Sequence, residues 1–234
     1  MNARWRAAWG AWLLGVAGLL ALFNLWPGLD LTLSAALHDA GNPQRFPFGR
    51  WAVVHGVYLV VPWIGRLGLV VALGLLAHRA TPPRWRRRAA AMTLMLVLGL
   101  WLVVNAGLKD QWGRPRPVDV TAFGGPHPFQ PAGRPSALCP SNCSFVSGHA
   151  ATGFALGAIG LLGAPATRRR WRRLGWAAGL LIGLGRVLQG HHFVSDVLGA
   201  GLAIGGTGLL IRHGWVLWRC QRRLHHRQHG RHAA

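Results

Sequence analysis

His192 and Asp196 stand four residues apart, the spacing that puts two side chains on one face of a helix. A carboxylate at imidazole Nδ1 fixes the tautomer and leaves Nε2 free as a nucleophile, a pairing suited to attack on phosphorus. Just upstream, Arg186 interrupts an apolar segment, where an unpartnered charge is expensive. Lys109 is the only lysine of the chain, and it leads into Arg116 and Pro117. A compact ammonium with two guanidinium forks, from Arg116 and Arg186, suits the oxygens of a phosphate. Ser147 and Gly148 open an apolar run, so their backbone N–H groups point out of the positive end of a helix and form an anion site. His149 follows directly and can give a proton to a leaving alkoxide. Taken singly, these residues also read as a snorkelling lysine, an N-cap serine and a structural histidine. Their weight comes from three segments meeting at one face.

The elements that must bring the segments together are membrane helices. The chain has 234 residues, 51% of them hydrophobic, gathered into about six runs without the amphipathic stripe of a soluble core helix. The predicted spans cover 7–26, 53–77, 89–108, 148–165, 174–190 and 194–211, each near the ~20 residues that cross a hydrocarbon core. The fourth and fifth are rich in Gly and Ala and read as helices packed inside the bundle. The expectation is one all-α domain over 1–234, with its core at about 50–211 and a basic tail at 212–234. The first run follows Arg4 and Arg6 and imitates a signal peptide, but its length favours a retained anchor.

Arginines cluster ahead of the first run, at 79–88, at 168–173 and from 212 to 231, in alternate connections. The positive-inside rule therefore places both termini in the cytoplasm and the longest loop, roughly 109–147, outside. All five acidic residues fall on that outer side. The net charge of +21 is dispersed in these clusters instead of forming one basic face, which argues against nucleic acid. Cys139 and Cys143 in the outer loop fit either a disulfide or two thiols. With Cys220 as the only other cysteine, no zinc site is expected, and the tail histidines His225, His226, His229 and His232 read as part of a solvated basic tail. Arg66 lies in the second run after Pro62 and fits either a contact with an anionic headgroup or a snorkelling arginine at a bend.

Together these motifs resemble the type 2 phosphatidic acid phosphatase (PAP2) superfamily, whose pattern is Lys-x6-Arg-Pro, Pro-Ser-Gly-His and Ser-Arg-x5-His-x3-Asp. Lys109, Arg116 and Pro117 match the first part, Ser147, Gly148 and His149 the second, and Arg186, His192 and Asp196 the third. Val146 stands where the family has proline, and Gly185 where it has serine. The tract from Cys139 to His149 is also similar to bacterial members related to lipid A phosphatases. The resemblance implies a six-helix bundle in a bacterial inner membrane with a periplasmic site and no cofactor. It implies hydrolysis through a phosphohistidine on His192, oriented by Asp196, with His149 as acid and Lys109, Arg116, Ser147, Gly148 and Arg186 on the phosphate. The implied substrate is a membrane lipid phosphate: lipid A, phosphatidylglycerophosphate, phosphatidic acid or undecaprenyl diphosphate. Transfer to a second lipid, and binding or transport without turnover, would use the same pocket. Oligomeric state is left open.

Overall fold

The computed structural model describes the backbone of residues 3–231 and the side chains of that range except 223 and 226–231. The expectations for His226, His229 and His232 fall outside the described side chains. The molecule is all-helical. Among the described residues there is no strand, only an isolated bridge between Val120 and His127.

The described residues form seven α-helices in order: α1 (Ala3–Leu25), α2 (Gly28–Ala35), α3 (Ala52–Ala77), α4 (Pro83–Leu94), α5 (Gly148–Ala155), α6 (Pro165–Leu188) and α7 (Val194–Arg231). α4 continues without a break into a wider π-helical stretch, Met95–Lys109, so the two form one rod. α5 continues as a 3-10 helix, Leu156–Gly160. Proline starts α4 and α6, where its missing N–H costs nothing. Asp196 sits in the first turn of α7, where a carboxylate is favoured by the helix dipole.

Among the described residues four helices are long and apolar enough to cross a membrane: Ala3–Leu25, Ala52–Ala77, Pro83–Lys109 and Val194–Arg222. Six were expected. The fourth expected span, 148–165, is short because α-helix gives way to 3-10 helix at Leu156. The fifth is a 24-residue helix that starts at Pro165, ahead of the expected 174, and its first turns carry Arg168, Arg169, Arg170, Arg172 and Arg173. α7 runs past 211, so the stretch expected to be a separate tail continues the last helix.

α5 and α6 pack backbone against backbone. A methyl group on Gly153 would lie 2.7 Å from the Gly179 backbone, and one on Gly175 would lie 2.8 Å from Phe154 O. Glycine is needed for this approach, which explains why these segments look weakly hydrophobic. The core surrounds α5: Ala150, Ala151, Phe154 and Ala155 meet Val104 of the third span and Val197, Ala200 and Ile204 of α7. By contrast α3 presents Val53, Leu59, Val60, Trp63, Leu67 and Val70 outward, an apolar surface that suits lipid.

Candidate active site

The C-terminal ends of the third span and α6 and the N-terminal ends of α5 and α7 meet under the loop at 110–147. That loop folds back on its own beginning. Ser144 N–H donates to Arg114 O at 2.8 Å, and Cys139 N–H to Gly113 O at 3.1 Å. Gly113 has φ +64°, and a side chain there would run into the Ser136 carbonyl. Cys139 and Cys143 are joined as a disulfide, which settles the alternative left open by the sequence.

His192 is buried in the turn between α6 and α7. Its Nδ1 lies 2.7 Å from Ser144 O, an acceptor, so Nδ1 carries the proton. The expected partner, Asp196, is farther, with Oδ2 at 3.7 Å. That carboxylate is already saturated: Oδ1 accepts from Arg114, while Oδ2 accepts from Ser144 Oγ at 2.5 Å and from Phe193 N–H at 2.7 Å. Asp196 therefore acts on His192 by charge and by holding Ser144 and Phe193, and the carbonyl sets the tautomer. Among the described residues nothing bonds to His192 Nε2. Burial pushes the His192 imidazole down to about 4 despite Asp196, so the ring is neutral at pH 7.

Cations gather around this ring. Arg186 is buried at the end of α6; its Nη1 donates to Gln189 Oε1, its guanidinium lies 4.6 Å from the Tyr58 ring, and its Nε has no partner. Such an orphaned donor is the kind that a bound anion satisfies. Arg116 donates through Nη2 to Asn142 O at 2.7 Å and through Nη1 to His191 Nδ1 at 3.2 Å. His191 thus steadies Arg116. It can accept only while neutral, and burial followed by Arg186 and Arg116 pushes it down to about 3.

At α5, Ser147 differs from its expected role. Its N–H donates to Asp196 O at 3.1 Å and its Oγ caps Ala150 N–H, so neither group is free for an anion. The open donors of the first turn are those of Gly148 and His149. Lys109 Nζ approaches Gly148, lying 3.9 Å from where its Cβ would be. His149 Nε2–H donates to Tyr58 O at 3.3 Å, and the two rings stack at 5.2 Å. Tyr58 thereby lies against both His149 and Arg186. Lys109, Gly148, His149 and Arg66 line one cleft of about 560 Å³ between α3, the third span and α5, so Arg66 does reach the site region, with its guanidinium 5.0 Å from the Trp63 ring.

Arg114, Asp30 and Ser195 were not singled out from the sequence. Arg114 is wholly buried and donates to Asp30 Oδ2, Asp196 Oδ1, Ser195 Oγ and Gln130 O, at 2.5–2.8 Å. Its guanidinium lies 4.3 Å from the Phe193 ring and 5.5 Å from that of Phe129. Asp30, from α2, also accepts from Ser195 N–H at 3.1 Å. Burial raises the Asp30 carboxyl above the usual range, with Arg114 opposing. The one available signal was Asp30 itself, the only charged residue of a short helix.

The profile of the PAP2 superfamily matches residues 89–221, more than half of the chain, and the chain belongs to that family. It is 40% identical over 207 residues to the lipid A 4'-phosphatase of Francisella tularensis subsp. novicida, covering 81% of this chain and 90% of that protein. It is 33% identical over 198 residues to the lipid A 4'-phosphatase of Rhizobium etli (76% of each), and 34% identical over 197 residues to that of Rhizobium leguminosarum (77% and 84%). No solved structure matches the chain. The apolar helices and these relatives together make it an integral membrane protein.

Proposed function

We propose that the chain is a membrane phosphatase that hydrolyses a lipid phosphate at the periplasmic face of a bacterial inner membrane, with the 4'-phosphate of lipid A as the leading substrate. The names of three relatives support that choice of substrate. The chemistry rests on one observation: His192 commits Nδ1–H to Ser144 O and leaves Nε2 unbonded, in the field of Arg186 and Lys109. α5 with its extension and α6 would complete six crossings with the four long helices.

In the first step Nε2 attacks phosphorus, the P–O bond to the lipid breaks, and the departing oxygen takes a proton from His149. Lys109, Arg116, Arg186 and the Gly148 amide hold the non-bridging oxygens, and Arg66 contacts the headgroup from the cleft. Water then attacks the phosphohistidine and gives a proton to His149. The N–P bond breaks, releasing inorganic phosphate and neutral His192. Fixed cations stabilise the charge, so the chemistry does not call for a metal. In detergent-purified protein, phosphate release from lipid A should persist in EDTA and disappear in His192→Ala. Full activity in that variant would remove the assigned nucleophile, and loss in EDTA would remove the metal-free mechanism.

A further inference from the structure

At the end of the bundle remote from His192 a second cleft of about 300 Å³ opens between the start of α6 and the stretch of α7 from Gly201 to Arg212. Arg168 begins α6 near this cleft and Arg186 ends it at the active site. At 1.5 Å per residue these positions are about 27 Å apart, so the two sites lie at opposite membrane levels. Four guanidiniums line the cleft, from Arg168, Arg169, Arg172 and Arg212. No carboxylate offsets them, because Asp30, Asp39, Asp110, Asp119 and Asp196 all belong to the other end or its loops.

The arrangement exceeds what membrane orientation requires. Orientation depends on how many cations a connection carries, not on their lining a cavity. Here Arg168 from α6 and Arg212 from α7 face one cleft. The same cleft receives the positive end of α6 at Pro165. Beneath the arginines the wall turns apolar, with Phe154, Trp176 and Ile204, and Gly205 leaves open space where any side chain would project. Cationic rim and greasy slot match the two halves of one kind of molecule.

We propose that this cleft binds an anionic phospholipid, with its phosphate on Arg168, Arg169, Arg172 and Arg212 and an acyl chain running between Phe154 and Ile204. The site does not depend on the phosphatase reading and would exist in a catalytically silent protein.

The test uses the full-length protein in neutral detergent, titrated with phosphatidylglycerol, phosphatidylcholine or inorganic phosphate while the melting temperature is followed. Phosphatidylglycerol should raise Tm with concentration and phosphatidylcholine should not, while inorganic phosphate, which the active-site cations also hold, should shift the parent and R168Q/R172Q/R212Q alike. The phosphatidylglycerol shift should be lost in R168Q/R172Q/R212Q and kept in R84Q/R86Q, which removes exposed arginines outside the cleft. Gly205→Leu provides a variant with unchanged charge: nothing lies within 4 Å of a Cβ there, so it folds, fills the slot and loses the shift. A shift with inorganic phosphate that is lost in R168Q/R172Q/R212Q would mean a free-anion site. A phosphatidylglycerol shift retained in Gly205→Leu, or lost in R84Q/R86Q, would reduce the effect to general surface charge. Any of these results overturns the proposal.

Discussion

Arg114 and Asp30 form an ion pair at 2.8 Å with both side chains shut off from water, and the same guanidinium holds Asp196 at 2.5 Å. A helix near the N-terminus is thus wired to the residue that flanks the candidate nucleophile. Removing one member of a buried pair leaves the other charge without compensation, at a cost of about 3–5 kcal/mol. Arg114→Met should therefore lower stability by that order, and Asp30→Asn by less, since Arg114 keeps Asp196. In a double-mutant cycle read by thermal melting, the two changes should be strongly non-additive; simple additivity would mean that the pair carries no coupling.

His149 is assigned to the leaving group, and this separates it from the phosphate-binding residues. In His149→Ala, turnover of an alkyl phosphate should drop by about 10²–10⁴-fold. An aryl phosphate, whose phenolate departs without a proton, should lose far less in the same variant. An equal loss on both substrates would place His149 elsewhere in the mechanism.

Acid should act on both activity and stability through the turn at 191–192. The folded state holds His192 at about 4 and His191 at about 3, below the ~6.5 of an exposed imidazole. Between those values the unfolded chain binds more protons than the folded one. Stability is therefore complete above pH ~6.5 and declines as pH falls towards 4. Thermal melts from pH 7.5 to 4 should show this decline, and it should be shallower in His191→Gln. For the same reason His192 stays nucleophilic below the usual histidine range, so its acid limb in a rate profile should lie well under pH 6.5.

The disulfide braces the strap that positions Arg116, because Asn142, inside its ring, supplies the carbonyl that Arg116 grips. Converting Cys139 and Cys143 to serine should cost about 2 kcal/mol on a chain-entropy view of so small a ring. Phosphate binding should suffer more than turnover, so KM should rise while kcat changes little. A fall confined to kcat would point to His192 and not to Arg116.

Much of the site was legible because its residues lie in short motifs whose spacing survives folding: Lys109 with Arg116, Gly148 with His149, and Arg186 with His192 and Asp196. What escaped depends on direction and on partners far along the chain. Arg114 and Arg116 sit two residues apart among prolines, yet one points into the protein and the other towards Asn142 and His191, which composition does not encode. Asp30 meets Ser195 across 165 positions. The Ser147 N–H looked free because its acceptor, the Asp196 carbonyl, comes from another helix. The long apolar helices were readable from hydropathy alone. α5 and α6 were read as helices with other bounds, since their glycines serve close contact and weaken the very signal by which spans are found.

The residues matched by the family profile start at 89, whereas Asp30 lies well ahead of them. A truncated protein beginning at that boundary would retain all of the signature residues and still strand a guanidinium in its interior. The buried charge network reaches beyond the stretch that the family profile matches, and expression trials guided only by motifs would cut away part of the protein's own counter-charge.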